Sequence, residues 1–296
     1  TSFYAPDFAL NQRSPWLIGE ELKWAPVAEV LPEVTRRVEP PNLGFARLHG
    51  EILERIGRGE FSKVVPIVCE KLEFSAPLHA EMFTSLWSRE FNDQYAYGFD
   101  FQNEGLCGVT PELLFSVRGE RLQTMALAGT GPVDGPSLLA DRKECHEHKL
   151  VIDQLVSELK PWGEPEVGTT EEREFGVLKH LRTPIQMHLR RQVSFAELVE
   201  CLHPTAALGG WPRGPAVAWL EKQDFHLARG RFGAPFGFSC EEEMRCVVAI
   251  RGLQWVGAKA LLAAGCGVVQ ESQSPREWNE LALKLRATRL FLGLES

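Results

Sequence analysis

The sequence predicts an α+β fold, one large domain of extensive, mostly antiparallel sheets flanked by helices. Three observations carry this. Strand-like apolar runs and segments of helical period are intermixed without the regular strand–helix alternation of a doubly wound fold. No flexible linker, internal repeat or low-complexity tract divides the 296 residues, a length that buries a large core. Two long helices, about 142–160 and 275–292, place acidic residues on inward faces where a packed core needs apolar ones.

Residues 1–45, rich in Pro and Trp and without a long period, read as an irregular or short-stranded lead-in to a main unit at 46–296. Leu48, Ile52, Leu53 and Ile56 recur at helical spacing, and Gly57 and Gly59 end that helix. Val64, Val65, Ile67 and Val68 form a buried strand whose Pro66 predicts an edge or a bulge. Residues 79–90 read as a helix, and Tyr95–Phe101 and Leu113–Val117 as strands, with a hairpin turn at 118–120. Pro161 stops the 142–160 helix, and a polar loop spans 163–174. Helices are predicted at 194–202 and 215–222, and strands through 232–269 with a turn near Gly257.

Composition excludes some classes of partner. No apolar run is long enough to cross a bilayer, and nothing resembles a signal peptide. A net charge of −8 argues against nucleic acid, since phosphate binding requires a basic face. Seven scattered cysteines (69, 107, 145, 201, 240, 246 and 266), none in Cys-x-x-Cys spacing, fit reduced thiols in a cytoplasmic protein. The chain begins with Thr rather than Met, which leaves its native start open.

The acidic faces point to chemistry. Glu144 and Glu147 continue the helical line of His148, Val151 and Leu155, and Glu277 and Glu280 repeat the spacing in the last helix. Buried carboxylates need a compensating cation, and four of them suit a hard ion such as Mg²⁺. Structural readings compete: Ser274, Pro275 and Glu277 spell a capping box, and Glu280 with Lys284 is an i,i+4 ion pair. His146, Glu147 and His148 lack the spacing of a zinc site. Lys63, inside an apolar strand, reads either as a buried base or as a snorkelling side chain. Glu112 and Arg251 are equally two-sided, Arg251 being suited to hold a carboxylate bidentately. The glycine clusters at 129–131, 209–210 and 265–267 match neither a P-loop nor a dinucleotide fingerprint.

Taken in order, several motifs resemble those of the chorismate-utilising enzyme family: Phe61-Ser62-Lys63-Val64-Val65, Gly108-Val109-Thr110-Pro111-Glu112, Leu127-Ala128-Gly129-Thr130, Lys143-Glu144-Cys145-His146-Glu147-His148, Leu202-His203-Pro204-Thr205-Ala206-Ala207-Leu208-Gly209-Gly210, Ala249-Ile250-Arg251, Ala264-Gly265-Cys266-Gly267 and Glu271-Ser272-Gln273-Ser274-Pro275-Arg276-Glu277-Trp278. The likeness runs from about residue 46 to the C-terminus. It implies the fold of that family, shortened at the N-terminus. It further implies Mg²⁺ held by Glu147 and Glu280 and supported by Glu144 and Glu277. Arg251 and the Gly265 backbone would bind a substrate carboxylate, with Thr130, His180 and Lys284 in the same pocket.

The resemblance also sorts the reaction. Ammonia-using members carry Gln where Lys63 stands, so no glutaminase subunit is expected. Lys63 would be the base that activates water and Glu112 the acid that protonates the leaving hydroxyl, as in isochorismate synthases. Ala207-Leu208 matches those enzymes, whereas pyruvate-eliminating relatives carry Thr at position 207. The expectation is a monomeric, Mg²⁺-dependent isochorismate synthase, its product feeding menaquinone or a siderophore. The alternatives are a salicylate synthase and a catalytically silent chorismate-binding protein. Pro66, Val68, Gly131, Ala206 and Cys266 depart from the family pattern without removing a catalytic or metal position.

Overall fold

The computed structural model describes residues 2–12, 15–18, 30–83 and 93–295. In chain order its strands are β1 (Ser2–Tyr4), β2 (Trp16–Ile18), β3 (Val34–Val38), β4 (Lys63–Val64), β5 (Ile67–Phe74), β6 (Tyr95–Phe101), β7 (Glu104–Thr110), β8 (Leu113–Arg118) and β9 (Arg121–Pro132). They continue with β10 (Glu166–Val167), β11 (Glu171–Phe175), β12 (Leu178–His188), β13 (Gly210–Trp211), β14 (Pro235–Ser239), β15 (Met244–Val248), β16 (Gly252–Val256) and β17 (Lys259–Gly265). The helices are α1 (Asn42–Gly57), α2 (Arg142–Leu159), α3 (Phe195–Leu202), α4 (Arg213–Leu220), α5 (Asp224–Leu227) and α6 (Ser274–Leu292).

Two large antiparallel sheets organise these elements. A nine-stranded sheet runs β10-β12-β9-β8-β15-β14-β1-β2, with β11 also paired to β12, and a six-stranded sheet runs β3-β5-β17-β16-β7-β6. The first packs with α2 and α3 around Leu122, Ala126, Leu155, Leu198 and Phe115. The second packs with α1, α4 and α6 around Ile52, Leu72, Leu262 and Leu281. Residues from both, among them Tyr97, Leu106, Met125 and Val247, share a third apolar cluster. The expected α+β architecture is therefore present, its helices covering sheet faces whose inward residues are apolar.

Two local expectations are corrected, and a third lies mostly outside the described residues. Pro66 marks neither an edge nor a bulge. It sits between β4, which pairs with β13, and β5, which lies between β3 and β17. The proline ends one ladder where no N–H is needed and the next begins after it. The segment 163–174 is not all loop, since β10 and the start of β11 pair with β12; these mostly polar edge strands offer no alternating pattern to read. Of the helix expected at 79–90, only a 3₁₀ turn at Ala80–Phe83 is seen, and the remainder lies outside the described residues.

Candidate active site

Helix α2 starts at Asp141, whose carboxylate accepts the Glu144 N–H at 3.1 Å. This cap sets the helix phase, and Glu144, Glu147, His148, Val151 and Leu155 all fall on the buried face as the spacing requires. Helix α6 meets it at an angle that brings Glu277 to the same place. The capping box expected there does not form. The N-cap is Gln273, without a side-chain bond, and Glu277 turns inward instead. Burial among opposite charges outweighs the bond it would make to an exposed helix end.

What joins the helices is Lys143. Its ammonium lies 2.9 Å from Glu147 Oε2, 3.1 Å from Glu277 Oε1 and 3.3 Å from Glu144 Oε1. Burial opposes its charge, but Glu147, Glu280, Glu277 and Glu144 outweigh that and raise its pKa well above the ordinary value. Glu144 also takes Arg276 at 2.8 Å and the Thr130 N–H at 3.1 Å. Burial raises the Glu144 and Glu277 carboxyls, and neighbouring carboxylates add to it. Burial also pushes on Glu147, yet Lys143 and Lys63 hold it well below the usual range. Nothing local singles out Lys143 except its place one turn before Glu147 and beside Glu144.

Among the described residues, no three His, Cys, Asp or Glu groups converge as ligands, because an ammonium already stands between the carboxylates. The donor set nonetheless suits a hard cation, being buried, oxygen-only and concentrated on two facing helices. Glu277 Oε1 is buried and, beyond its ion pair with Lys143, makes no hydrogen bond, and a Cβ on Gly267 would collide with the Glu147 carboxylate and the Lys63 stem. Zinc has no support. His146 lies near the surface against Glu271 at 2.9 Å, and His148 is bonded to Thr183 Oγ1 at 2.7 Å.

Beside this cluster opens a partly enclosed cleft, walled by apolar surface with a few convergent polar groups as small-molecule sites are. Its walls include Glu112, Thr130, Glu147, His180, Ala207, Leu208, Arg251, Gly265 and Lys284, with apolar surface from Val65, Phe232, Ile250 and Ala263. Sequence patterns gave no signal for these apolar walls, which look like any other core residues. Lys63, Glu144, Glu277 and Glu280 stand outside this lining. Lys63 is fully buried, its Nζ 3.0 Å from Glu147 Oε1.

Glu112 follows Pro111 at the β7–β8 junction and is 3% exposed. Burial pushes its carboxyl up to about 8, against the pull of Lys63, Lys284, a Thr205 hydrogen bond and Arg251. Such a group is a proton donor at neutral pH. Arg251 was expected in or at the end of a strand; it occupies the bend between β15 and β16 with φ +59°. There its guanidinium donates to His180 Nε2 at 3.1 Å. Burial, together with Arg251 and Lys284, pushes His180 well below its ordinary pKa. The neutral ring then carries its proton on Nδ1, which lies 2.9 Å from the Gly129 carbonyl and 3.1 Å from Thr130 Oγ1. Lys284 does more than form a surface pair. It bonds Glu280 at 2.6 Å and the Gly265 carbonyl at 2.8 Å, with its stem half-buried in the wall.

The site thus assembles a neutral acid, a buried lysine and two cationic side chains at an otherwise acidic centre. A family profile described as chorismate binding enzyme matches residues 20–293. The chain belongs to this family. Among curated relatives, this chorismate-binding chain is 30% identical over 258 residues to isochorismate synthase MenF of Bacillus subtilis, covering 81% of the chain and 54% of the relative. It is 33% identical over 205 residues to the salicylate biosynthesis isochorismate synthase of Pseudomonas aeruginosa, covering 64% and 42%. It therefore spans about half the length of these relatives. The solved structure of the menaquinone-specific isochorismate synthase MenF from Escherichia coli superposes with a TM-score of 0.81 at 25% identity, covering 92% of this chain and 66% of that one.

Proposed function

We propose that the protein is an isochorismate synthase, converting chorismate to its isomer in the cleft lined by Glu112 and Arg251. One observation carries the reading: burial keeps the Glu112 carboxyl protonated near neutral pH inside a cleft whose two cationic walls, Arg251 and Lys284, attract a dianion. Water forms a bond to C2 of the ring, the ring double bond shifts, and the C4–oxygen bond breaks. Glu112 gives its proton to the departing C4 hydroxyl, and Lys63 takes one from the attacking water. Atoms balance, so the product is an isomer of the substrate. Acid and base each contribute about 10²- to 10⁴-fold.

Arg251 would hold the enolpyruvyl carboxylate, oriented by its bond to His180, with the Gly265 backbone and Thr130 beside it. Mg²⁺ would be held by Glu147 and Glu280, with Glu144 and Glu277 in support, and would supply positive charge for the ring carboxylate. Lys143 and Lys284 now neutralise those oxygens, so they would yield part of that role when the metal binds. The catalytic unit would be 46–296, preceded by the lead-in 1–45, of which Phe8 packs against His203 and His226. The absence of a glutaminase partner agrees with Lys63 in place of Gln, and a cytoplasmic setting with the scattered cysteines; a monomer on a menaquinone or siderophore route completes the proposal. No helix among the described residues is long and apolar enough to cross a membrane.

A second reading, a silent chorismate binder, is favoured by the full burial of Lys63 and its tie to Glu147. One experiment separates the readings: incubation with chorismate and Mg²⁺, followed by chromatography. Isochorismate alone supports the synthase. Salicylate with pyruvate establishes a salicylate synthase instead, and Mg²⁺-dependent binding without turnover establishes the silent binder.

A further inference from the structure

Arg251 is one of few side-chain-bearing residues here with positive φ, at +59°. That region is sparsely populated except by glycine, so the bend that aims its guanidinium into the cleft must be held by its surroundings. Besides the bond from the Ile250 N–H to the Val248 carbonyl within the bend, two bonds reach it from the β6–β7 hairpin. The Val109 N–H donates to the Arg251 carbonyl at 3.3 Å, and the Tyr97 hydroxyl donates to the Ile250 carbonyl at 3.0 Å. The peptide that precedes Arg251 is thereby fixed from outside its own strand.

The route of Tyr97 to that carbonyl is built into the sheet. Tyr97 pairs with Gly108, and Gly108 with Gly252, so the three residues form one row across β6, β7 and β16. A Cβ at Gly108 would stand 2.6 Å from the tyrosine hydroxyl, and one at Gly252 would stand 2.5 Å away. Two glycines in register therefore clear a lane in which the ring lies over the sheet and reaches the bend. Tyr97 is 4% exposed, so water does not replace the bond, and its phenol stays protonated as the donor.

We infer that Tyr97 is a positioning residue for substrate binding: its hydroxyl, passing over Gly108 and Gly252, locks the Ile250–Arg251 peptide in the turn that presents Arg251 to the substrate's carboxylate. The inference rests on the proposed role of Arg251. Tyr97 does not line the cleft and touches no reacting atom. Its loss loosens an anion clamp and leaves Glu112 and Lys63 in place.

The test is Tyr97→Phe in the full chain, which removes one oxygen and keeps the ring. The KM for chorismate is expected to rise about five- to tenfold, the equilibrium worth of one buried hydrogen bond, with kcat within about twofold. The same substitution on an Arg251→Ala background is expected to change KM by less than about twofold, because the residue it positions is gone. An unchanged KM overturns the inference. So does an equal rise on both backgrounds, or a loss confined to thermal stability, each of which marks a structural residue only. Calorimetric titration of the wild-type protein with chorismate and Mg²⁺ separates the two levels. No binding there overturns the functional reading and this inference together, whereas wild-type binding retained unchanged in Tyr97→Phe overturns this inference alone.

Discussion

At the scale of residues, the chemistry turns on which side chains burial has changed. Glu112 is displaced up to about 8, chiefly by desolvation, so the acid is present below that pH and lost above it. The turnover rate is expected to fall as pH rises through about 8, in a rate profile measured at saturating chorismate. The same displacement bears on stability. Between its unfolded value and about 8 the folded protein binds the extra proton, so stability falls as pH rises across that window. Glu112→Gln should remove this slope from melts taken at several pH values and lower kcat about 10²- to 10⁴-fold. Lys63→Ala should abolish hydration while Mg²⁺ titration still shows binding; lost metal binding would assign Lys63 to the metal centre. Gly267→Ala should impair both activity and metal binding, since the added methyl meets Glu147 and Lys63.

At the scale of elements, α2 and α6 are coupled by charge. Their carboxylates converge on Lys143, whose side chain is 5% exposed while those of Glu144 and Glu277 are fully buried. Removing a buried partner leaves uncompensated charge at a cost of about 3–5 kcal/mol. Lys143→Met is therefore expected to lower the urea midpoint by an amount corresponding to that loss, and added Mg²⁺ should restore part of it. A midpoint unchanged by the substitution would show that the Lys143 charge contacts do not hold the two helices in place. The helices themselves were legible from period and from breakers such as Pro161, whereas the caps are findings of the structure: Asp141 begins α2, and Gly293 ends α6 in the left-handed conformation. The strands β10 and β11 were not, because polar edge strands are held by their ladder to β12 and not by a buried face.

At the scale of the whole molecule, the cleft depends on segments remote in sequence. Phe8, in the N-terminal lead-in, packs against His203 and His226 with ring centroids 4.8 and 5.3 Å away, and Arg229 lies 3.4 Å above its ring. Its carbonyl takes the His203 Nε2 proton at 2.8 Å. His203 begins the loop that carries Ala207 and Leu208 into the cleft. Phe8→Ala is expected to destabilise the fold by about 3–5 kcal/mol in a single unfolding transition, and to raise the KM for chorismate. Two separate transitions would show that the first residues are not part of the cooperative unit.

The sequence alone carried the chemistry: the carboxylate pairs at 144/147 and 277/280, the lysine in an apolar strand, the acid after Pro111, and the motif order that marks the family. Spacing and residue type single these positions out, because a helix turn fixes which neighbours share a face and ionised groups in apolar surroundings need a reason, while their proposed roles rest on the family resemblance. Only the tertiary structure decided what each charge meets. It set Lys143 between three carboxylates, withdrew Glu277 from its apparent capping role, enclosed Lys63 against Glu147, and bent Arg251 toward His180 under the hydroxyl of Tyr97. Those outcomes depend on contacts between residues as many as 153 positions apart, and pairing at that range is set by how the sheets and helices close on one another, which no local pattern encodes.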